Sequence, residues 1–181
     1  IDHRKVAPGT VFGAFEGTKV NGESFIPAAI AAGACAVVAR AEAEVAGALH
    51  IADPIPRRAF ARLAAQFFTP VPGTIVAVTG TNGKTSVAEM TRQLWNMAGH
   101  SAASIGTLGV TSGDETVATG LTTPDIVTFL SNISGLAREG VTHLAYEASS
   151  HGLSQYRNEG APVAAGAFTN LSRDHLDYHA T

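Results

Sequence analysis

The stretch that decides the fold is Ile75-Val76-Ala77-Val78-Thr79-Gly80-Thr81-Asn82-Gly83-Lys84-Thr85. Its apolar run predicts a strand, its two glycines predict a tight turn, and its Lys-Thr pair opens a helical pattern. Glycines let backbone N–H groups turn towards phosphate oxygens, and the start of a helix adds positive potential. The stretch therefore predicts a phosphate-binding loop between a strand and a helix.

The side chains of this loop suit a nucleoside triphosphate with a divalent metal. Lys84 can reach the β- and γ-phosphates, and the hydroxyl of Thr85 can bind Mg²⁺. The full Walker pattern has a glycine where this chain has Val78. The alternative is an ordinary strand–turn–helix connection with a solvated lysine. Because strand, glycines, Lys-Thr pair and helix all agree, the phosphate loop is favoured.

The composition restricts the classes of function. The chain has 181 residues, 45% of them hydrophobic, which is enough for one or two domains with a sizeable core. A net charge of −3 and a charged fraction of 15% argue against a nucleic-acid-binding surface. We find no signal peptide and no apolar run long enough for membrane insertion, so we expect the protein to be located in the cytoplasm. The single cysteine, Cys35, lies in an apolar run and is expected to be buried.

The patterning predicts two α/β domains, residues 1–70 and 74–181. Between them, the segment Thr69-Pro70-Val71-Pro72-Gly73 breaks regular structure, because proline fixes φ and removes a backbone donor. The strands that we expect lie at 11–15, 35–39, 74–79, 101–105, 142–148 and 163–169, with a hairpin around Gly113-Asp114. The helices lie at 25–32, 57–68, 84–98 and 124–138. Strands that alternate with helices predict a mainly parallel, doubly wound sheet in the second domain.

Thr122 and Thr123 precede the helix expected from Pro124 to Arg138. Thr123 suits its N-cap, and Pro124 suits its first turn. Capping does not exclude contact with a ligand, because the start of a helix attracts anions.

Two polar clusters follow strands of the second domain, where doubly wound sheets bind their ligands. They are Glu147-Ala148-Ser149-Ser150-His151-Gly152 and the run from Asn170 to His179. Glu147 can bind Mg²⁺ directly or through water, and His175 can bind a second metal or touch phosphate. Alternatively, Glu147 caps a helix that begins near Ser150, and His175 is one polar loop residue among several. The neighbouring phosphate loop favours the functional interpretation.

These motifs together resemble those of the Mur ligases. The loop from Thr79 to Thr85 is similar to their ATP loop, and two further runs look like the MurE branch, Glu147-Ala148-Ser149-Ser150-His151-Gly152-Leu153 and Thr169-Asn170-Leu171-Ser172-Arg173-Asp174-His175-Leu176-Asp177-Tyr178-His179. The first domain resembles the uridine-binding domain of that branch through Asp2-His3-Arg4, Pro8-Gly9-Thr10-Val11-Phe12, Asn21-Gly22 and Phe25-Ile26-Pro27-Ala28-Ala29.

The resemblance implies roles for particular residues. The ATP phosphates would be held by Gly80, Thr81, Asn82, Gly83, Lys84 and Thr85. One Mg²⁺ would be bound by Thr85 and Glu147, and a second by His175; Lys84, Glu147 and His175 form the implied catalytic set. The muramoyl-dipeptide part of the substrate would contact Thr122, Thr123, Ser149, Gln155 and Arg157. His3 and Arg4 fall in the uridine-site motif.

The resemblance also implies the reaction. This family branch adds the third peptide residue, a diamino acid, to UDP-N-acetylmuramoyl-L-alanyl-D-glutamate in peptidoglycan synthesis. The D-Glu carboxylate attacks the γ-phosphate of ATP, and an amine of meso-diaminopimelate or L-lysine displaces phosphate from the acyl phosphate. The sequence leaves the choice of diamino acid open. We expect a monomer without nucleic-acid partners.

This chain departs from the family pattern at two points. The family usually has Asp-Ser-Arg where this chain has Asp2-His3-Arg4, and often has aspartate where this chain has Asn21. Family members also continue into the rest of the ATPase domain, with a metal-bridging carbamylated lysine, and into a domain that binds the amino acid. Since the 181 residues lack both, we expect the isolated chain to be inactive and to leave a sheet edge open.

Three other functions compete with this interpretation. A folylpolyglutamate synthetase-like ligase shares the loop type, but the uridine-type first domain disfavours it. A nucleotide-dependent switch or small-molecule kinase would not need that first domain. A nucleotide-binding module without catalysis is the third alternative.

Overall fold

The computed structural model describes residues 1–17, 20–118, 120–176 and 178–179. Asp177, which is part of the motif quoted above, lies outside the described residues. The chain divides into two compact units, Ile1–Leu63 and Ala64–Thr181. Residues 69–73 form neither helix nor strand. The assignment of 1–70 and 74–181 to separate functional domains stays a prediction.

The first unit is built on a parallel sheet. Its elements are β1 (Val11–Gly13), α1 (Ile26–Ala31), β2 (Ala36–Ala39), β3 (Leu49–Ala52) and α2 (Pro56–Phe67), whose last turn crosses the unit boundary. The strands lie in the order β1-β2-β3, with both pairs parallel. All four residues of β2 are buried, as a continuous apolar run in a parallel sheet requires. The core of the unit consists of Phe12, Ala14, Ile26, Ala29, Ala34, Val37 and Ala39.

Two details of this unit differ from expectation. The sequence did not predict β3, because His50 interrupts its apolar pattern; the ring Nε2 lies 3.0 Å from the carbonyl oxygen of Arg40. The expectation that Cys35 is buried is wrong. Cys35 lies just before β2 and is exposed, with its thiol 3.2 Å from the carbonyl oxygen of Gly9.

The second unit has a larger mixed sheet. Its elements are β4 (Thr74–Thr79), α3 (Lys84–Met97), β5 (Ala102–Gly106), β6 (Gly109–Ser112), β7 (Glu115–Val117), α4 (Ile126–Arg138), β8 (His143–Glu147), α5 (Ser150–Ser154) and β9 (Val163–Phe168). The strand order is β7-β6-β5-β8-β4-β9. The pairs among β5, β8, β4 and β9 are parallel, whereas the predicted hairpin, β6 and β7, pairs antiparallel.

Helices cover both faces of this sheet, which confirms the doubly wound α/β prediction. Successive strand residues point to opposite faces. Ala145 of β8 packs in a cluster with Ala88 of α3, and Tyr146 contacts Phe129 of α4 with ring centroids 4.9 Å apart. At the edge of the described sheet, β9 is largely exposed. No helix of the described residues has the length and apolar character needed to cross a membrane.

The start of α4 corrects one prediction. Asp125, not Thr123, is the N-cap, and its carboxylate accepts hydrogen bonds from the N–H groups of Val127 (3.1 Å) and Thr128 (3.2 Å). An ionised carboxylate interacts more strongly with the positive end of a helix than a hydroxyl does. Thr123 is thereby left free for the contacts described below.

A pair of histidines lies at the amino end of β8. His143 stacks on His100 with ring centroids 4.1 Å apart, and Trp95 packs against the same ring at 5.1 Å. The hydroxyl of Thr142 lies 2.9 Å from His143 Nδ1. Burial, and secondly the nearby His100, hold the pKa of His143 below its ordinary value of 6.5.

This pair predicts a loss of stability in mild acid. Because the unfolded chain binds the proton at His143 more tightly, the free energy of unfolding falls as the pH drops through the ordinary histidine pKa of 6.5 and towards the lower pKa of the folded state. The effect is small, below about 1 kcal/mol, because water screens the half-buried ring of His143 and the exposed ring of His100. Denaturant unfolding at several pH values measures it, and His143→Gln should weaken the dependence. If the free energy of unfolding of His143→Gln depends on pH as strongly as that of the His50→Gln control, His143 is not the source of the effect.

Candidate functional site

The predicted phosphate loop lies between β4 and α3, as its sequence requires. Gly80 has a φ of +128°, and a side chain there would clash with the hydroxyl of Thr169. Gly83 is the N-cap of α3 and adopts the left-handed conformation. Both positions therefore need glycine.

Lys84 closes over this loop. Its ammonium donates hydrogen bonds to the carbonyl oxygens of Gly80 (2.8 Å) and Thr81 (2.9 Å). The side chain is half-buried at the first turn of α3, where the helix dipole also favours an anion. Ionised phosphate oxygens bind an ammonium more strongly than carbonyl oxygens do, so a phosphate can displace these internal partners.

The segment after β9 supports the loop from behind. The amide side chain of Asn170 accepts from the N–H of Asn82 (3.1 Å) and donates to its carbonyl oxygen (3.0 Å). The N–H of Thr81 donates to the backbone carbonyl of Asn170 (2.9 Å), and the Thr81 hydroxyl accepts from the N–H of Ser172 (2.8 Å). The backbone N–H groups of Thr81 and Asn82 are therefore engaged, whereas the N–H groups that start α3 have no acceptor within the helix and are available to phosphate.

Glu147 ends β8, the strand next to the loop's own strand. Its exposed fraction is only 2%, and it lines a cleft together with Thr85, Ser104 and Gly106. One carboxylate oxygen accepts the N–H of Thr107 (2.7 Å), and the other accepts the Thr107 hydroxyl (3.2 Å). A carboxylate beside a phosphate loop is a hard oxygen ligand that suits Mg²⁺.

The cleft fits the metal that the sequence predicts. The hydroxyl of Thr85 makes no hydrogen bond to any residue that the structure describes, so it is free to bind a cation. Within the same described ranges, no three carboxylate, imidazole or thiol side chains converge on one point. A Mg²⁺ here would take further oxygen ligands from the nucleotide phosphates and from water, as it commonly does.

The five residues expected at the muramoyl peptide form one hydrogen-bonded network. Thr123 is buried, and its hydroxyl donates to the carbonyl oxygen of Glu147 (2.9 Å) and accepts the N–H of Ser149 (3.0 Å). Arg157 donates to the carbonyl oxygen of Thr123 (3.0 Å) and, through Nε (3.1 Å) and Nη2 (2.8 Å), to Oε1 of Gln155.

Thr122 joins this network through Thr107, with their hydroxyl oxygens 3.0 Å apart. Ser149 is also the N-cap of α5, so the alternative that Glu147 caps that helix is wrong. The fold therefore connects this polar network to Glu147 at two points, to its backbone carbonyl through Thr123 and to its carboxylate through Thr107.

His175 lies in the segment that follows β9. Its backbone has a φ of +52°, which is uncommon for a residue other than glycine. Its N–H donates to Asp174 Oδ1 (2.9 Å), and its half-exposed ring packs edge-on against His151 with centroids 4.7 Å apart. β9 pairs with β4 in parallel, so His175 follows the same sheet edge as the phosphate loop. Its role at a second metal stays a prediction.

Two family models match the chain. That of the Mur ligase middle domain matches residues 78–181, and that described as the Mur ligase family catalytic domain matches residues 1–68. The chain belongs to the Mur ligase family.

Curated relatives point to one branch of the Mur ligases. Proteins from Zymomonas mobilis and Bradyrhizobium diazoefficiens are 62% and 55% identical over 100% of the chain, and both are named UDP-N-acetylmuramoyl-L-alanyl-D-glutamate–2,6-diaminopimelate ligase. This confirms the predicted resemblance to the MurE branch. The chain spans 37% of the length of each of these relatives.

Solved structures agree with the Mur ligase fold. A UDP-N-acetylmuramoyl-L-alanyl-D-glutamate–2,6-diaminopimelate ligase superposes with a TM-score of 0.87 at 34% identity, over 100% of this chain and 37% of that one. The MurF ligase from Thermotoga maritima in complex with ADP has a TM-score of 0.63 at 24% identity, over 99% of this chain and 39% of that one. The second likeness concerns the fold alone.

In the first unit of this Mur ligase, His3 and Arg4 lie in a short 3-10 turn, His3–Lys5. The guanidinium of Arg4 donates two hydrogen bonds of 2.9 Å to the carboxylate of Asp2. These bonds hold the pKa of Asp2 well below its usual range. The ring of His3 stacks on Phe25 with centroids 4.3 Å apart and an interplanar angle of 5°.

Sequence analysis gave no individual role to three residues that the structure places in the site of the second unit. Thr107 holds Glu147, Asn170 holds the phosphate loop, and the hydroxyl of Tyr178 accepts the Gln155 amide (3.0 Å). Thr107 and Asn170 contact residues 40 and 88 positions away in the chain. Asn170 directly follows the strand predicted at 163–169, and Thr107 lies two residues after the strand predicted at 101–105, so the strand ends gave the available signal.

Proposed function

We propose that the full protein carrying this chain is an ATP-dependent ligase of peptidoglycan precursor synthesis. It joins meso-diaminopimelate to the D-Glu carboxylate of UDP-N-acetylmuramoyl-L-alanyl-D-glutamate. The observation that carries the proposal is a continuous set of hydrogen bonds between the predicted metal ligand and the residues expected at the peptide. Thr107 and Thr123 connect Glu147, beside the phosphate loop, to Thr122, Ser149 and Arg157.

The relatives' names support this substrate pair and favour diaminopimelate over L-lysine. We propose that the protein acts as a cytoplasmic monomer. We further propose that the 181 residues by themselves do not turn over, since they correspond to 37% of those relatives.

The chain's own residues would perform three tasks in this reaction. The N–H groups that begin α3 would bind phosphate oxygens, and Lys84 would neutralise charge that develops on the transferred phosphoryl group. The network around Thr123 and Arg157 would orient the peptide, so that its D-Glu carboxylate meets the γ-phosphate in line. Glu147 and Thr85 would hold Mg²⁺, which, when bound, neutralises phosphate charge; His175 would help to hold a second ion.

ADP release by the full protein tests the proposal. The assay contains ATP, Mg²⁺, the UDP-linked muramoyl dipeptide, and either meso-diaminopimelate or L-lysine. ADP formation is expected to require both the dipeptide and diaminopimelate, and the product should gain the mass of one diaminopimelate residue. ADP formation that is independent of the amine, or a product that carries lysine alone, would contradict it. The isolated 181 residues serve as the inactive comparison.

The first unit is proposed to bind the uridine end of the substrate. Serine is the usual family residue at the position of His3, so His3→Ser is expected to bind UDP-N-acetylmuramic acid as tightly as the parent or more tightly. Titration calorimetry gives the dissociation constant, and amide chemical-shift mapping should show changes at Arg4 and its neighbours. His50→Ser, at a histidine of β3, serves as the matched control and should leave binding unchanged.

Two outcomes would contradict this placement. One is a set of chemical-shift changes confined to residues after 74, which would put the nucleotide sugar in the second unit. The other is clearly weaker binding in His3→Ser with no change in His50→Ser, which would show that the imidazole stacked on Phe25 contributes to the site.

A further inference from the structure

A two-residue turn, Thr107-Leu108, joins β5 to β6 and lies against the buried carboxylate of Glu147. The antiparallel pairing of Gly106 with Gly109 fixes the turn. Thr107 binds both oxygens of the carboxylate, one through its N–H (2.7 Å) and one through its hydroxyl (3.2 Å). Two bonds from one rigidly held residue set both the position and the rotation of the carboxylate.

Gly106 makes this arrangement possible. A methyl group on its α-carbon would overlap the Glu147 carboxylate. The side chain of Glu147 therefore occupies the space that any other residue at position 106 would fill. Because a buried carboxylate is costly unless its oxygens are hydrogen-bonded, the contacts from Thr107 also keep the group in its buried position.

The hydroxyl of Thr107 has a second partner, Thr122, at 3.0 Å. A hydroxyl has one proton, and an ionised carboxylate only accepts hydrogen bonds. Thr107 must then donate to Glu147, so it accepts the proton of Thr122. The hydrogen bonds therefore run from Thr122 to Thr107 and from Thr107 to Glu147. Because the Thr122 hydroxyl donates its proton to the hydrogen bond with Thr107, it can only accept a hydrogen bond from a ligand.

We propose that Thr107 is a positioning residue that orients Glu147 for Mg²⁺ and, through the same hydroxyl, makes Thr122 a hydrogen-bond acceptor for an N–H or O–H group of the muramoyl peptide. The inference rests on the proposed function, in which Glu147 binds the metal and Thr122 contacts the peptide. It adds a coupling between Mg²⁺ and the peptide, because the hydroxyl of Thr107 contacts both Glu147 and Thr122. Binding of either ligand should strengthen binding of the other.

The test uses the full protein and its affinity for Mn²⁺, measured by electron paramagnetic resonance with a non-hydrolysable ATP analogue present. Thr107→Val removes the hydroxyl but keeps the N–H and the branched shape. It is expected to weaken Mn²⁺ binding about tenfold, the usual loss when a partner of a metal ligand is removed. Thr107→Ser should restore it. Adding the UDP-linked muramoyl dipeptide should raise the Mn²⁺ affinity of the parent and of Thr107→Ser, but not that of Thr107→Val.

Two further variants complete the design. Thr116→Val removes a hydroxyl that pairs with Thr111 (3.1 Å) in the neighbouring hairpin, and it should leave Mn²⁺ binding unchanged. Thr122→Val should keep Mn²⁺ affinity without the dipeptide and raise the KM for the dipeptide more than it lowers kcat. This second variant gives an answer even if Thr107→Val does not fold.

The outcomes separate this inference from the proposed function. If Glu147→Gln binds Mn²⁺ as tightly as the parent, the proposed metal site itself is wrong. If Glu147→Gln loses Mn²⁺ while Thr107→Val binds like the parent, the positioning role of Thr107 is overturned and the metal site stands. Unchanged dipeptide coupling in both Thr107→Val and Thr122→Val would overturn the proposed hydrogen-bond order.

Discussion

Replacing Lys84 with alanine is expected to lower the ligation rate of the full protein about 10³-fold, equivalent to about 4 kcal/mol of activation free energy. The ammonium lies over the phosphate loop, and among the residues that the structure describes it bonds only to loop carbonyls, which a phosphate can replace. Losing it removes a charge that stabilises the transferred phosphoryl group in the transition state.

The fold should tolerate this change. Lys84 lies at the first turn of α3, is half-buried, and belongs to neither set of apolar residues that forms the cores. Circular dichroism and thermal unfolding would show whether the variant is folded, and steady-state ADP release gives its rate. Arg138→Met removes an exposed cation from the last turn of α4 and serves as the charge-matched control. Turnover of Lys84→Ala within tenfold of the parent would rule out the role.

Replacing Glu147 with glutamine is expected to raise the Mg²⁺ concentration for half-maximal activity at least about tenfold, because a charged ligand becomes neutral. The amide keeps the size of the side chain, which matters at a residue with 2% exposure. His175→Ala should raise the requirement by a smaller factor, because its ring is half-exposed.

Initial rates across a series of Mg²⁺ concentrations at fixed ATP measure this requirement. Glu115→Gln, at an exposed glutamate of β7, makes the same chemical change away from the cleft and should match the parent. If Glu147→Gln and His175→Ala both reach half-maximal activity at the same Mg²⁺ concentration as the parent, these residues support the structure only.

The features that the sequence predicted are those with local causes. The phosphate loop follows from glycines and a Lys-Thr pair within seven residues, and β2 and β8 follow from short apolar runs. The cap of α4 was predicted wrongly because two candidates compete within three residues, and the carboxylate of Asp125 prevails over the hydroxyl of Thr123. β3 was missed because its middle contains His50.

The candidate site was predicted in its parts but not in its connections. Strand ends located Glu147 and the segment with His175, since parallel strands bring their carboxyl ends to one edge. That Thr107 binds Glu147, or that Asn170 binds Asn82, depends on the register of strands that are far apart in the chain. Local pattern contains no information on such contacts, so they became visible only in the folded structure.

The hydrogen bonds between Asn170 and Asn82 couple the phosphate loop to the segment that follows β9, so that the two move together. The amide side chain holds both the N–H and the carbonyl of Asn82, so the loop cannot change shape without moving the chain that leads to His175. By thermodynamic linkage, a nucleotide that stabilises one arrangement of the loop also stabilises that segment. We therefore expect the nucleotide to act as a structural ligand as well as a reactant, suppressing local opening of residues 169–172 before any phosphoryl group is transferred.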